Sequence, residues 1–186
     1  MSSLLPRRLA LWFLLLLQLS PLFVSCEEEK HCQPGPGEDS VKDVCRDIPN
    51  YDLCFSTLMA DSQASRSCAV DMAPTVVIML LKNVTSTRKH SLRLIHETEN
   101  QTERKCLYVC NKLYKQVIRD LKAGVKAARV YEADAAFEAV THTSRNANEC
   151  ENVFKTRRIA SPLTPWNRNI LELSGIADHI VRGAMV

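Results

Sequence analysis

Apolar residues recur at steps of three and four through four long segments of this chain. From near Asp71 to Glu97, the inner positions are Val77, Leu80/Leu81, Val84 and Leu94/Ile95. From Glu103 to Val125, they are Leu107, Cys110, Tyr114, Val117, Leu121 and Val125. The third segment, from about Glu132 to Lys155, carries Ala136, Val140, Thr143, Ala147, Cys150 and Phe154. The fourth opens at Thr164-Pro165, a capping residue followed by proline at the first helical position. It continues with Trp166, Ile170, Leu173, Ala177, Ile180 and Ala184. A stripe of this period in four successive segments predicts amphipathic helices packed as a bundle. Pro74 either begins the first helix or kinks it. Upstream, Ser40 is placed to cap a short helix through Cys45, which Ile48-Pro49 ends, because the residue before a proline avoids the α region. A second short helix is expected over Asn50–Met59. The predicted fold is all-α: an antiparallel four-helix bundle preceded by a disulfide-closed helical hairpin.

The first 26 residues follow a different pattern. Arg7 and Arg8 precede the apolar run Leu9–Leu19, Pro21 breaks it, and Val24 and Cys26 suit a cleavage site. This reads as a signal peptide over 1–26, too short to span a membrane. It predicts a secreted protein folded under oxidising conditions. Residues 27–39, charged and rich in Pro and Gly, read as a flexible arm. Residues 40–186 read as one domain, with the hairpin over 40–60 and the bundle over 66–186. Loss of Arg7 and Arg8 takes the 24 basic residues to 22 against 21 acidic ones, a net charge of +1. That balance argues against nucleic acid or a membrane as partner. Few aromatics (6%) and only 5 glycines favour helices over a secreted β-sandwich.

The cysteines then set a register. Cys45 and Cys54 would close the hairpin. In an antiparallel helix pair, facing residues have a nearly constant index sum, so a Cys110–Cys150 bond centres the intervening turn near residue 130. The same sum sets Leu113 against Ala147 and Val117 against Thr143, stripe or stripe-adjacent positions on both helices. In the chain-entropy model, closing a loop of this size is worth about 4 kcal/mol, and the smaller hairpin loop about 2.7 kcal/mol. Cys32, Cys68 and Cys106 remain as possible free thiols. Their odd number leaves at least one unpaired or intermolecular. Cys32, on the arm, can reach either of the other two, whereas Cys106, one turn from Cys110, can compete for Cys150.

Several segments together resemble the plant invertase and pectin methylesterase inhibitor family. They are Val44-Cys45-Arg46-Asp47-Ile48-Pro49-Asn50-Tyr51-Asp52-Leu53-Cys54 with Leu58 and Asp61, and Cys110-x3-Tyr114 running to Leu121. Further on come Tyr131-Glu132-Ala133-Asp134 leading to Asn148-Glu149-Cys150-Glu151-Asn152-Val153-Phe154, and Ser161-Pro162-Leu163-Thr164 with Asn167-Arg168-Asn169. Leu173-Ser174-Gly175-Ile176-Ala177 completes the set. The resemblance covers about Val41–Val181. It implies a four-helix bundle with an N-terminal hairpin and two disulfides. It also implies a non-enzymatic inhibitor that blocks invertase or pectin methylesterase in a one-to-one complex. Pro49–Cys54 lies nearer the invertase-inhibitor side. However, the Pro-Lys-Phe element of some invertase inhibitors has no counterpart in Tyr131-Glu132-Ala133-Asp134-Ala135-Ala136-Phe137. Invertase is therefore the first target reading and pectin methylesterase the alternative, and no contact residues are transferred.

Other chemistries are weakly represented. His90 and His96 are six apart and do not share a helical face, His31 is on the arm, and His142 and His179 show no partner in sequence. Cys106-x3-Cys110 has metal-compatible spacing, but Cys110 is taken by Cys150. No phosphate loop or nucleophile elbow is present, so no cofactor, metal or catalytic residue is expected. Asn83-Val84-Thr85 and Asn100-Gln101-Thr102 are glycosylation sequons, Asn100 being in the more polar setting. A secreted four-helix signalling protein is the leading non-inhibitor reading, although the Cys45-x8-Cys54 hairpin is foreign to it. A lipid-transfer protein would need adjacent Cys-Cys and Cys-x-Cys pairs, which are absent.

Overall fold

The computed structural model describes residues 37–184. The leader, most of the arm and Cys32 lie outside the described residues. Helices α1 (Gly37–Cys45) and α2 (Tyr51–Ala60) form the hairpin, and a single 3-10 turn over Ala64–Arg66 leads to the bundle. The bundle comprises α3 (Ala69–Glu97), α4 (Gln101–Arg129), α5 (Ala133–Thr156) and α6 (Thr164–Ala184). Each long helix packs on two neighbours: α4 lies between α3 and α5, and α6 closes the ring between α5 and α3.

The expected stripes become the core. Every inner position expected on α4 and on α5 is buried. On α6, Ile170, Leu173, Ala177 and Ile180 are buried, whereas Trp166 is half-exposed. The stripe on α3 has an apolar gap between Val84 and Ile95, and two polar residues fill it. Thr87 and Ser91 are fully buried. Thr87 Oγ1 donates to the Asn83 carbonyl at 3.0 Å, and Ser91 Oγ donates across the helix interface to the Leu107 carbonyl at 3.3 Å. A buried hydroxyl so paired escapes the cost of an unmet hydrogen bond.

The antiparallel register is visible in four contacts. Cys110 and Cys150 are bonded, with Cα atoms 4.9 Å apart. One turn away, Cys106 Sγ lies 3.7 Å from the Val153 carbonyl. Nearer the turn, His142 Nδ1 is 3.7 Å from Asp120 Oδ2, and a Cβ on Gly124 would stand 2.7 Å from that of Ala139. The index sums run 260, 259, 262 and 263, and the chain turns at Val130–Glu132. The small drift is what two helices twisting about each other produce. Gly124, Ala136 and Ala139 are small because the helices approach closely there.

Three differences from the sequence reading have local causes. First, α1 begins at Gly37, within the stretch read as arm, because Glu38 and Asp39 complement the helix N-terminus and Lys42 reaches back to Glu38 at 2.8 Å. Second, α3 begins at Ala69 rather than near Asp71, so of the two readings of Pro74 the one in which it begins the helix is excluded. Pro74 sits five residues inside, where the Val70 carbonyl forgoes its helical donor. Third, Cys68, read as a possible free thiol, is disulfide-bonded. It stands at the half-exposed N-cap of α3, open to oxidation, whereas Cys106 is buried and is the free thiol among the described residues. Burial raises the Cys106 pKa, which keeps the thiol protonated and unreactive. Cys45 and Cys54 are joined across the hairpin with Cα atoms 5.7 Å apart.

Candidate functional site

A rigid surface needs anchored ends, and the bundle has two. At one end, Glu151 of α5 gathers the chain. Its carboxylate accepts from Thr164 Oγ1 at 2.8 Å, Ser161 Oγ at 3.0 Å and Asn167 Nδ2 at 2.5 Å. Asn167 is buried and accepts from the Tyr114 hydroxyl of α4. Its amide also lies 3.4 Å from Cys150 Sγ. Burial first, then the Glu151 charge, push the Tyr114 phenol well above its ordinary pKa, so it remains a donor. This network ties α4, α5 and α6 together around the Cys110–Cys150 bond. Sequence reasoning missed it because its members are 10 to 53 residues apart. The Ser161–Thr164 and Cys150–Glu151 segments were the available signal.

At the opposite end, the α4–α5 turn projects Val130 and Tyr131, which are 63% and 58% exposed. Tyr131 has a φ of 59°. It occupies the left-handed position that ends a helix, usually held by glycine. The Glu132 amide donates to the Ala127 carbonyl at 3.0 Å, closing a Schellman turn. Arg158 (φ 56°) does the same after α5, with Ile159 N on the Phe154 carbonyl at 3.3 Å. Left-handed backbone costs a non-glycine residue about 1 kcal/mol. Beside the tip, Ala133, Asp134 and Phe137 of α5 and Val181 and Arg182 of α6 line a recess of about 300 Å³. The Arg182 guanidinium lies 4.1 Å over the Phe137 ring and is held by Asp178 at 3.2 Å. The tip is thus an apolar pair on a fixed turn, next to a shallow aromatic recess. Such a surface can bind another protein; it presents no nucleophile and base in hydrogen-bond reach.

The other expected sites are scattered. His90 stacks on Trp166 at 4.5 Å, and its Nδ1 lies 2.8 Å from Arg93 Nη2. Burial first, then the Arg93 charge, lower its pKa. His142, expected to stand alone, lies between Asp120 and Glu138, each at 3.7 Å. Among the described residues, no group of three His, Cys, Asp or Glu is arranged to hold a metal ion. No helix among them is long and apolar enough to cross a membrane. Asn100 is exposed at the N-cap of α4, its Oδ1 accepting from Thr102 N at 2.9 Å and Glu103 N at 3.2 Å. Asn83 lines a recess under Leu53 and Thr57 of α2, with its Oδ1 buried.

The fold has known counterparts. A pectin methylesterase inhibitor from Arabidopsis, in a mutant form, superposes with a TM-score of 0.67 at 19% identity, over 77% of this chain and 95% of the other. A second crystal structure of a pectin methylesterase inhibitor, from Arabidopsis thaliana, gives a TM-score of 0.58 at 17% identity over the same shares. No curated protein sequence matches significantly. The family model described as plant invertase/pectin methylesterase inhibitor matches residues 39–180, from the third residue of α1 almost to the end of α6. On that match the chain belongs to the plant invertase/pectin methylesterase inhibitor family.

Proposed function

We propose that this protein is a secreted inhibitor that blocks a plant cell-wall or vacuolar carbohydrate-active enzyme in a one-to-one complex, with invertase as the first target. The observation carrying this reading is the tip. Two exposed apolar residues stand on a Schellman turn between two long, closely packed helices. Preorganisation of this kind spares the ordering cost that weakens flexible binders. Val130 and Tyr131 supply the apolar anchor, and the recess at Phe137 and Arg182 is its margin. The Pro49–Cys54 segment, which resembles the invertase-inhibitor side of the family, supports invertase. Pectin methylesterase is the second reading, favoured by the names of the two solved neighbours. Asn100 is the proposed glycan carrier. Its capping oxygen is distinct from the amide nitrogen that a glycan would use, so the two roles are compatible.

The test is inhibition of purified acid invertase and pectin methylesterase, side by side, near pH 5. The expected result is stoichiometric inhibition of invertase, lost at least tenfold in Tyr131→Ala. Inhibition of pectin methylesterase alone would select the second reading. Failure against several isoforms of both enzymes would overturn both.

A further inference from the structure

The outer face of α4 carries a feature that whole-chain charge conceals. α4 contains eight basic residues and two acidic ones. Lys105, Lys112, Lys115 and Arg119 recur at helical spacing, and Lys122, Lys126 and Arg129 continue the same line. Tyr108 fills the remaining step between Lys105 and Lys112. All eight positions are exposed, and steps of three and four keep them on one side of the helix. From Lys105 to Arg129 the ridge is roughly 36 Å long, with a group about every 5 Å. Among the described residues, none of its seven cations pairs with a carboxylate. Arg119 donates only to Gln116, a neutral neighbour on the same helix. The two acids of α4 are off the ridge: Asp120 faces His142 of α5, and Glu103 is in the first turn.

Seven unpaired cations on one line repel one another, so the ridge favours an anion that repeats along its length. An acidic protein surface fits poorly, because lysine is depleted at the centre of protein interfaces and the ridge has one aromatic anchor. A single-stranded nucleic acid would call for successive stacking aromatics, and here there is only Tyr108. The ridge is convex, with lysines in five of seven cationic places. Lysine acts as a mobile point charge rather than a fixed fork, which suits a flexible chain of carboxylates.

We propose that the α4 ridge binds a linear polyuronate, an acidic polysaccharide chain laid along the helix from Tyr108 to Arg129. Tyr108 offers one sugar ring a stacking face, and the cations neutralise successive carboxylates. Arg129 adjoins Val130, so a chain on the ridge would end beside the tip. The proposal is independent of the inhibitory reading, because uronate binding is measured with no enzyme present.

The test is titration calorimetry of the full protein with sodium polygalacturonate at low and moderate salt. Fully methyl-esterified polygalacturonate and a DNA duplex serve as comparison ligands. The polyuronate is expected to bind, with affinity falling steeply as salt rises. The esterified chain should bind at least tenfold more weakly, and the duplex more weakly than the polyuronate. K112E/R119E/K126E should lose at least tenfold, and the milder K112Q/R119Q/K126Q at least threefold, with the helical spectrum retained. K82E/K89E/R93E on α3 makes the same change in total charge and should lose less than threefold. Equal losses from α3 and α4, equal binding of the esterified chain, or tighter binding of the duplex would each overturn the proposal.

Discussion

Tyr114 and Asn167 show how much one hydrogen bond can carry in a helical core. Both are buried, and the Tyr114 hydroxyl meets the Asn167 side-chain oxygen while the Asn167 amide serves Glu151. Tyr114→Phe keeps the ring and strands the Asn167 oxygen, at a cost of about 1–3 kcal/mol. Chemical denaturation should show this as a lower midpoint with an unchanged slope; a neutral result would mean that Asn167 finds another partner. His90 makes a pH-dependent contribution. Its pKa is lowered in the fold by burial first and Arg93 second. The stability that comes from a neutral His90 is therefore full above about pH 6.5, the ordinary histidine value. It is lost as pH falls through the lowered folded value. His90→Gln should flatten the stability profile across that window, and histidine-resolved NMR titration should place the His90 midpoint below about 6.5.

At the scale of elements, the sequence was most legible where a long stripe met a covalent constraint. The stripes of α4 and α5 read correctly because each repeats six times, so one exception cannot hide the period. The index sum from Cys110 and Cys150 placed the turn near residue 130, and it lies at Val130–Glu132. What escaped reading was polar. Thr87 and Ser91 look like surface residues until α4 supplies the Leu107 carbonyl. Glu151 looks like one more acid until the α5–α6 loop folds back on it. Such residues are specified by partners distant in sequence, and no local period announces them. The Schellman turn at Tyr131 belongs to the same class. Glycine fits its left-handed backbone without strain, so Tyr131→Gly should raise stability by about 1 kcal/mol, visible as a higher thermal midpoint. The same substitution removes the exposed ring and should weaken inhibition at least tenfold. Loss of stability on substitution would show that the ring packs rather than protrudes. Unchanged inhibition would remove Tyr131 from the contact.

At the scale of the whole molecule, the hairpin and the bundle meet around the 3-10 turn and beside Asn83 and Leu173. α1 packs on α2, on the 3-10 turn and on α3. The bundle has its own ring of helices, its own disulfide and most of the buried apolar residues. Gly37 marks a close backbone approach in the junction. A Cβ there would stand 1.5 Å from the Ser65 carbonyl oxygen and 2.9 Å from the Arg66 Cα. Both are backbone atoms, so no rotamer change relieves the clash, and either α1 or the 3-10 turn must move. Gly37→Ala would otherwise favour the helix by up to about 1 kcal/mol. A loss of protection is therefore attributable to contact rather than propensity. Opening should stay local, because the Cys45–Cys54 bond keeps α1 and α2 together while they shift as a pair. In native-state hydrogen exchange, Gly37→Ala should speed exchange of the α1 and α2 amides at least tenfold. The α4 and α5 amides around Cys110–Cys150 should keep their wild-type rates. Uniform acceleration through all six helices of the described residues would show that hairpin and bundle open as one unit, and an unchanged pattern would show that the junction yields without cost.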